Sequence, residues 1–248
     1  MLGLAIDSAN EVASAAIWTG DIEAHDGSFS LLRIETLPPE VGKADQLITL
    51  VERMLGERKL DYRDLDVIAV NRGPGSFTGI RSAVALARGL ALAADLPVLA
   101  VTSHEALMAT LDDDPTGRPS MIAQDARRGE VYAQTFGADG RPRGEIEALA
   151  PAALADHLLT GGWRLAGSGA GLVVAALDDG ADVEVIGSTA LDAGAVALAA
   201  AKRLARGEMP VRGFELRPLY VRAPDAVPPA PLVSKVVARG GSALTCSP

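Results

Sequence analysis

The chain has 248 residues, enough for one large or two modest domains, and 48% of them are hydrophobic, so a sizeable core can form. A net charge of −9 and a pI near 4.9 argue against bulk-charge binding of nucleic acid by this chain alone. Its single cysteine, Cys246, excludes an internal disulfide and fits a reducing compartment.

Apolar runs at Leu2–Asp7 and Ala13–Trp18 predict two strands, and Ser30–Leu37 predicts a third, ended by Pro38-Pro39. Asp7 and Glu11 interrupt the early apolar run, so no secretory signal is expected. From Ala44 to Arg58, Ala44, Leu47, Ile48, Val51, Met54 and Leu55 recur at helical spacing, which predicts an amphipathic helix.

Val67–Val70 reads as a buried strand and Thr78–Ala94 as a helix, with the turn Gly73-Pro74-Gly75-Ser76 between them. Gly73, Gly75 and Gly79 permit close backbone approach, and the hydroxyls of Ser76 and Thr78 can cap the helix. Amides exposed at such a helix start attract anions. The spacing matches neither a Walker A loop nor a clean G-x-G-x-x-G, so two readings stand side by side: a phosphate cradle, or a sharp packed corner. The helix is apolar nearly all round, interrupted chiefly by Arg81 and Arg88. It therefore needs a second cover, either helix 44–58 or a partner subunit. The stretch around Val84–Ala94 contains Arg88 and is too short to span a bilayer, so no membrane is expected.

Val98–Val101 predicts a strand, so the first hundred residues read β-β-β-α-β-α-β. Ser103–Thr110 predicts a helix, followed by strands at Met121–Gln124 and Glu130–Phe136 around an Asp125–Gly129 turn. Ala152–Leu159 predicts a short helix, Trp163–Gly167 a strand and Ala190–Arg206 a long Ala-rich helix. Each half thus opens with a strand, an Asp-containing turn and a second strand, without a fixed-period repeat. Beyond Ala223 the chain is rich in Pro, Gly and Ala, and a mobile tail is expected.

Catalytic signals are thin. His25, His104 and His157 form no zinc-binding spacing, no G-x-S-x-G elbow appears, and Cys246 is a poor nucleophile. Asp7 is placed where a phosphotransferase holds a metal-bound water, although a lone Asp at a strand end is more often a cap. No metal and no cofactor are expected.

Four segments together resemble one family. Ala5-Ile6-Asp7-Ser8-Ala9, Arg72–Arg81, Asp125–Tyr132 and Pro218-Leu219-Tyr220-Val221-Arg222 are similar, in the same order, to the motifs of the TsaB (YeaZ) proteins. The resemblance implies an α/β, actin/Hsp70/sugar-kinase-like (ASKHA) fold with two lobes, each a mixed β-sheet flanked by helices. It implies an N-terminal lobe over 1–102 that binds a partner and a C-terminal lobe over 103–222, with helix 190–206 a candidate to pack back on the N-terminal lobe. Residues 223–248 form the tail.

The resemblance also implies a cytoplasmic, non-catalytic subunit in threonylcarbamoylation of adenosine 37 in tRNAs that read ANN codons. Such a subunit would form a heterodimer with the catalytic TsaD, join TsaE in a ternary complex, and touch tRNA only indirectly. Alone it could form a homodimer. The expected interface lies on helices 44–58 and 78–94, at Leu47, Val51, Met54, Thr78, Arg81, Val84, Ala87, Arg88 and Ala91. Asp7 and Ser8 would be a vestigial phosphate site. The turn Gly73, Pro74, Gly75, Ser76 and Gly79 then reads as a rigid corner that aims helix 78–94 at the partner, with any anion binding secondary. An independent ATPase or hydrolase is the competing reading.

Overall fold

A computed structural model describes residues 1–10, 12–21, 29–38, 43–111, 114–158, 161–177, 181–187 and 190–222. The chain folds into two lobes, each built on one mixed sheet.

In the first sheet β1 (Leu2–Asp7) lies between β2 (Ser14–Gly20), antiparallel, and β4 (Val67–Asn71), parallel. β3 (Phe29–Thr36) extends it beyond β2, and β5 (Pro97–Val101) pairs parallel with β4. Successive side chains on a strand point to opposite faces, and two cores follow from that alternation. Leu4, Ile6, Ile17, Ile68 and Val70 pack under α1 (Lys43–Glu57) and α2 (Phe77–Ala94). Ala5, Ala16, Trp18, Ala69 and Leu99 pack against α3 (Ser103–Ala109) and, beyond the second sheet, α6 (Ala193–Ala205). The alanines of α6 bring its backbone close to the strands, and its Asp192 cap accepts hydrogen bonds from the amides of Gly194 (2.8 Å) and Ala195 (3.0 Å).

The second sheet repeats the plan. β6 (Ser120–Asp125) pairs antiparallel with β7 (Val131–Phe136) and parallel with β9 (Trp163–Ala166). β8 (Pro142–Leu149) and β10 (Val183–Val185) complete it. α4 (Pro151–Leu158) and α5 (Ala170–Val174) cover one face, while Leu107 and Leu111, from α3 and just beyond it, pack against Ile122, Phe136 and Ala166 on the other. Two mixed sheets opened by antiparallel hairpins and flanked by helices are the ASKHA-like arrangement that the motifs imply.

Three features depart from the sequence expectations. α6 starts at Ala193 rather than Ala190 because Asp192 caps it. The boundary at 102/103 does not divide the chain cleanly, since β11 (Val211–Arg212) pairs antiparallel with β5 and joins the first sheet. β8, β10, β11 and α5 carry no periodic apolar signal of useful length; β8 is largely exposed and charged. The tail beyond Ala223, His25 and Cys246 lie outside the described residues.

Candidate functional site

The carboxyl ends of β1, β4 and β5 meet where ligands bind in open α/β sheets, and here they carry a buried polar knot. Asp7, Ser8, Asn71 and Ser103 are buried. Asn71 donates from Nδ2 to Asp7 Oδ1 (2.7 Å), while its Oδ1 accepts the Gly73 amide (2.9 Å). The Ser103 hydroxyl lies 2.7 Å from the Pro74 carbonyl oxygen and 3.1 Å from Asn71 Oδ1. The Ser103 amide also binds the Gly73 carbonyl (2.9 Å). One asparagine thus ties the hairpin, the turn and α3 together.

The Gly73–Pro74 peptide is cis, and Gly73 sits at φ +111°, a conformation that a side chain disfavours. The turn is packed against the first hairpin loop. An added Cβ on Gly75 would overlap the Ala9 carbonyl, and one on Gly79 would overlap the Ser8 carbonyl. The Ser76 amide donates to the Ala9 carbonyl (2.6 Å), and the Ser76 hydroxyl caps α2 by accepting the Gly79 amide (3.3 Å). Residues 8–9 thus close off the Gly75 and Gly79 sides of the turn, while Gly75 and Ser76 still face the interlobe cleft. Asp7 and Ser8, expected as a vestigial phosphate site, are shut inside and do not line the interlobe cleft.

That cleft has a volume of about 910 Å³ and lies between Asn10, Gly75 and Ser76 on one side and Asp125, Arg127 and Ser168 on the other. Asp125 shapes the second hairpin: its amide binds the Ser168 hydroxyl (3.1 Å), and its Oδ1 accepts the Arg127 amide (2.7 Å). Arg127, Arg128 and Gly129 are all left-handed, at φ 62°, 59° and 77°. Non-glycine residues pay for that backbone, and such strain is concentrated at functional sites. Both arginines are exposed.

The fourth motif is a strap across both lobes. The Leu219 amide pairs with the Arg72 carbonyl (2.8 Å). Tyr220 packs on Phe77 with ring centroids 5.4 Å apart and accepts a hydrogen bond from Arg81 Nε (2.7 Å), while the Arg81 guanidinium stacks on Phe77. Arg222 pairs with Glu130 and lies over the Tyr132 ring. All four motifs therefore meet around the lobe junction.

His104, on α3, is fully buried; its Nε2 donates to the Tyr132 carbonyl (2.9 Å). Burial lowers its pKa to about 4, only partly offset by that hydrogen bond, so the ring is neutral near pH 7.

The expected partner residues divide by face. Leu47, Val51, Met54, Val84, Ala87 and Ala91 point inward and are buried in this chain's own core. Thr78, Arg81 and Arg88 are exposed. The correction has a simple cause: the apolar stripe of an amphipathic helix seeks the sheet first, so the outward set is Ile48, Phe77, Thr78, Arg81, Ala85, Arg88 and Leu92. Sequence reasoning missed Asn71, Ser103 and His104 as site residues. The spacing Thr102-x-x-Glu105, a capping box observed here, marks where Ser103 begins its helix.

Among known proteins, the family model "TsaD: tRNA N6-adenosine threonylcarbamoyltransferase" matches residues 38–160. The Escherichia coli tRNA threonylcarbamoyladenosine biosynthesis protein TsaB is 34% identical over 173 residues, covering 67% of this chain and 71% of that protein. A crystal structure from Pseudomonas aeruginosa, described as similar to peptidase YeaZ, superposes with a TM-score of 0.71 at 29% identity, over 89% of this chain and 99% of that one. A ROK family protein from Streptococcus pneumoniae shares the fold alone, with a TM-score of 0.50 and 13% identity over 84% of this chain and 99% of that one.

Proposed function

The chain belongs to the TsaB (YeaZ) family, and on that premise we propose that it acts in tRNA threonylcarbamoyladenosine biosynthesis as a non-catalytic subunit pairing with a TsaD-type transferase. The pairing runs through the outward faces of α1 and α2, and TsaE joins the pair.

The observation that carries this reading is the composition of that outward face. Leu92 is 87% exposed, Phe77 48% and Ile48 40%. Gly89 lies inside α2 on its exposed side, and an added Cβ there meets nothing within 4 Å. Glycine inside a helix costs about 1 kcal/mol relative to alanine, and the chain's own packing gives no reason for it. A second helix approaching closely would. The non-catalytic role is supported by the corner at Gly75–Gly79, which this chain fills with its own hairpin. Among the described residues no three His, Cys, Asp or Glu side chains group as metal ligands. With a net charge of −9, contact with tRNA falls to the partners.

The test is reconstitution with TsaD, TsaE and the donor-forming TsaC of the same organism. Omitting this chain should abolish tRNA modification, and full modification without it would overturn the proposal. In sedimentation the chain should form a heterodimer with TsaD, displacing any homodimer.

A further inference from the structure

A second cavity, of about 320 Å³, lies where α3, α6 and the β7–β8 turn meet β6 and β9, away from the outward α1–α2 face. Arg164 reaches it from β9, beside Ser120 on the neighbouring strand. Arg164 is only 6% exposed, and its Nε is buried with no hydrogen-bond partner among the described residues. Among the described residues, the carboxylates that line the cavity are taken by other arginines. Glu105 pairs with Arg203 (3.3 Å), Asp114 with Arg118 (2.9 Å) and Asp139 with Arg143 (3.4 Å). A buried guanidinium without a counter-charge is costly, and this one faces a space large enough for a small ligand.

We propose that this cavity binds a phosphate-type oxyanion, anchored by Arg164, with Lys202 beside it and Arg206 at the exposed rim. Arg118 also pairs with Glu184 and Arg203 with Glu208, so among the described lining residues the buried cation left without a carboxylate partner is Arg164. The planar donor fork of arginine suits two oxygens of a tetrahedral anion, and the Ser120 hydroxyl supplies a neutral donor. Lys202 already donates to the Ala109 carbonyl (2.9 Å), which fixes its ammonium at the end of α3. The source is free orthophosphate or the head of a small phosphate monoester.

The experiment is calorimetric titration of the full chain with orthophosphate, glycerol phosphate and acetate, at constant ionic strength set with potassium chloride. Saturable binding of one phosphate per chain is expected, and the tighter of the two phosphates identifies the source. Arg164→Met should abolish binding. Lys202→Met, a more peripheral change, should weaken it at least about tenfold, as loss of one charged hydrogen bond predicts, with an unchanged circular dichroism spectrum. No saturable heat with either phosphate would overturn the proposal. So would equal binding by acetate, or undiminished phosphate binding in Lys202→Met, which decides the matter if Arg164→Met does not fold.

Discussion

Two glycines in one helix should respond oppositely to the same substitution. Gly79, in the first turn of α2, abuts the first hairpin loop: an added Cβ would overlap the Ser8 carbonyl oxygen, with the carbonyl carbon at 3.0 Å and Ser8 Oγ at 3.2 Å. These neighbours are mainly backbone, and Ser8 itself is buried, so the loop cannot swing aside as a long side chain would. Overpacking of this kind costs about 1–3 kcal/mol, and here it outweighs the gain of about 1 kcal/mol in helix propensity. Gly89→Ala meets nothing within 4 Å and keeps the gain, so the free chain should be stabilised by about 0.5–1 kcal/mol. Urea unfolding of both variants, followed by circular dichroism, measures the difference as opposite shifts of the midpoint at unchanged slope. Equal shifts, or a stabilised Gly79→Ala, would refute the packed-corner account of the turn.

Three further outcomes are expected. The folded pKa of His104 is about 4 against 6.5 unperturbed, so between those values the unfolded chain binds more protons. Stability should therefore fall as pH drops from about 6.5 to about 4, by about 3 kcal/mol at most; a flat profile in wild type, or the same slope in His104→Gln, would refute the assignment. Asn71→Ala strips partners from Asp7 and the Gly73 amide and should cost about 2–4 kcal/mol in thermal unfolding. Ala85→Arg on the exposed side of α2 should leave the melting temperature nearly unchanged and prevent co-elution with TsaD, whereas Ala87→Glu, fully buried, should unfold the chain.

Much of the first lobe was legible because its elements are long and periodic. The stretch 44–58 alternates apolar and polar residues at helical spacing, and the helix found is Lys43–Glu57. The Asp-containing turns at 7 and 125 do open equivalent hairpins. Short elements were not legible: β10 has three residues and β11 two, and each exists only because a neighbouring strand offers an open edge. The glycine turn announced itself, but spacing left two readings open, and only the contact with Ser8 and Ala9 favours a corner over a cradle.

By itself the sequence determined the order of the longer strands and helices, the apolar character of α2 and the four motifs that mark the family. Those depend on local propensity, hydrophobic period and residue identity, all of which are written along the chain. Tertiary structure decided which side of α1 and α2 is spent on the sheet, that Asn71 and Ser103 lock the turn, that residues 218–222 strap the lobes together, and that Arg164 faces a cavity with its Nε unpaired among the described residues. Each depends on groups distant in sequence meeting within a few ångströms, and no window along the chain contains both partners.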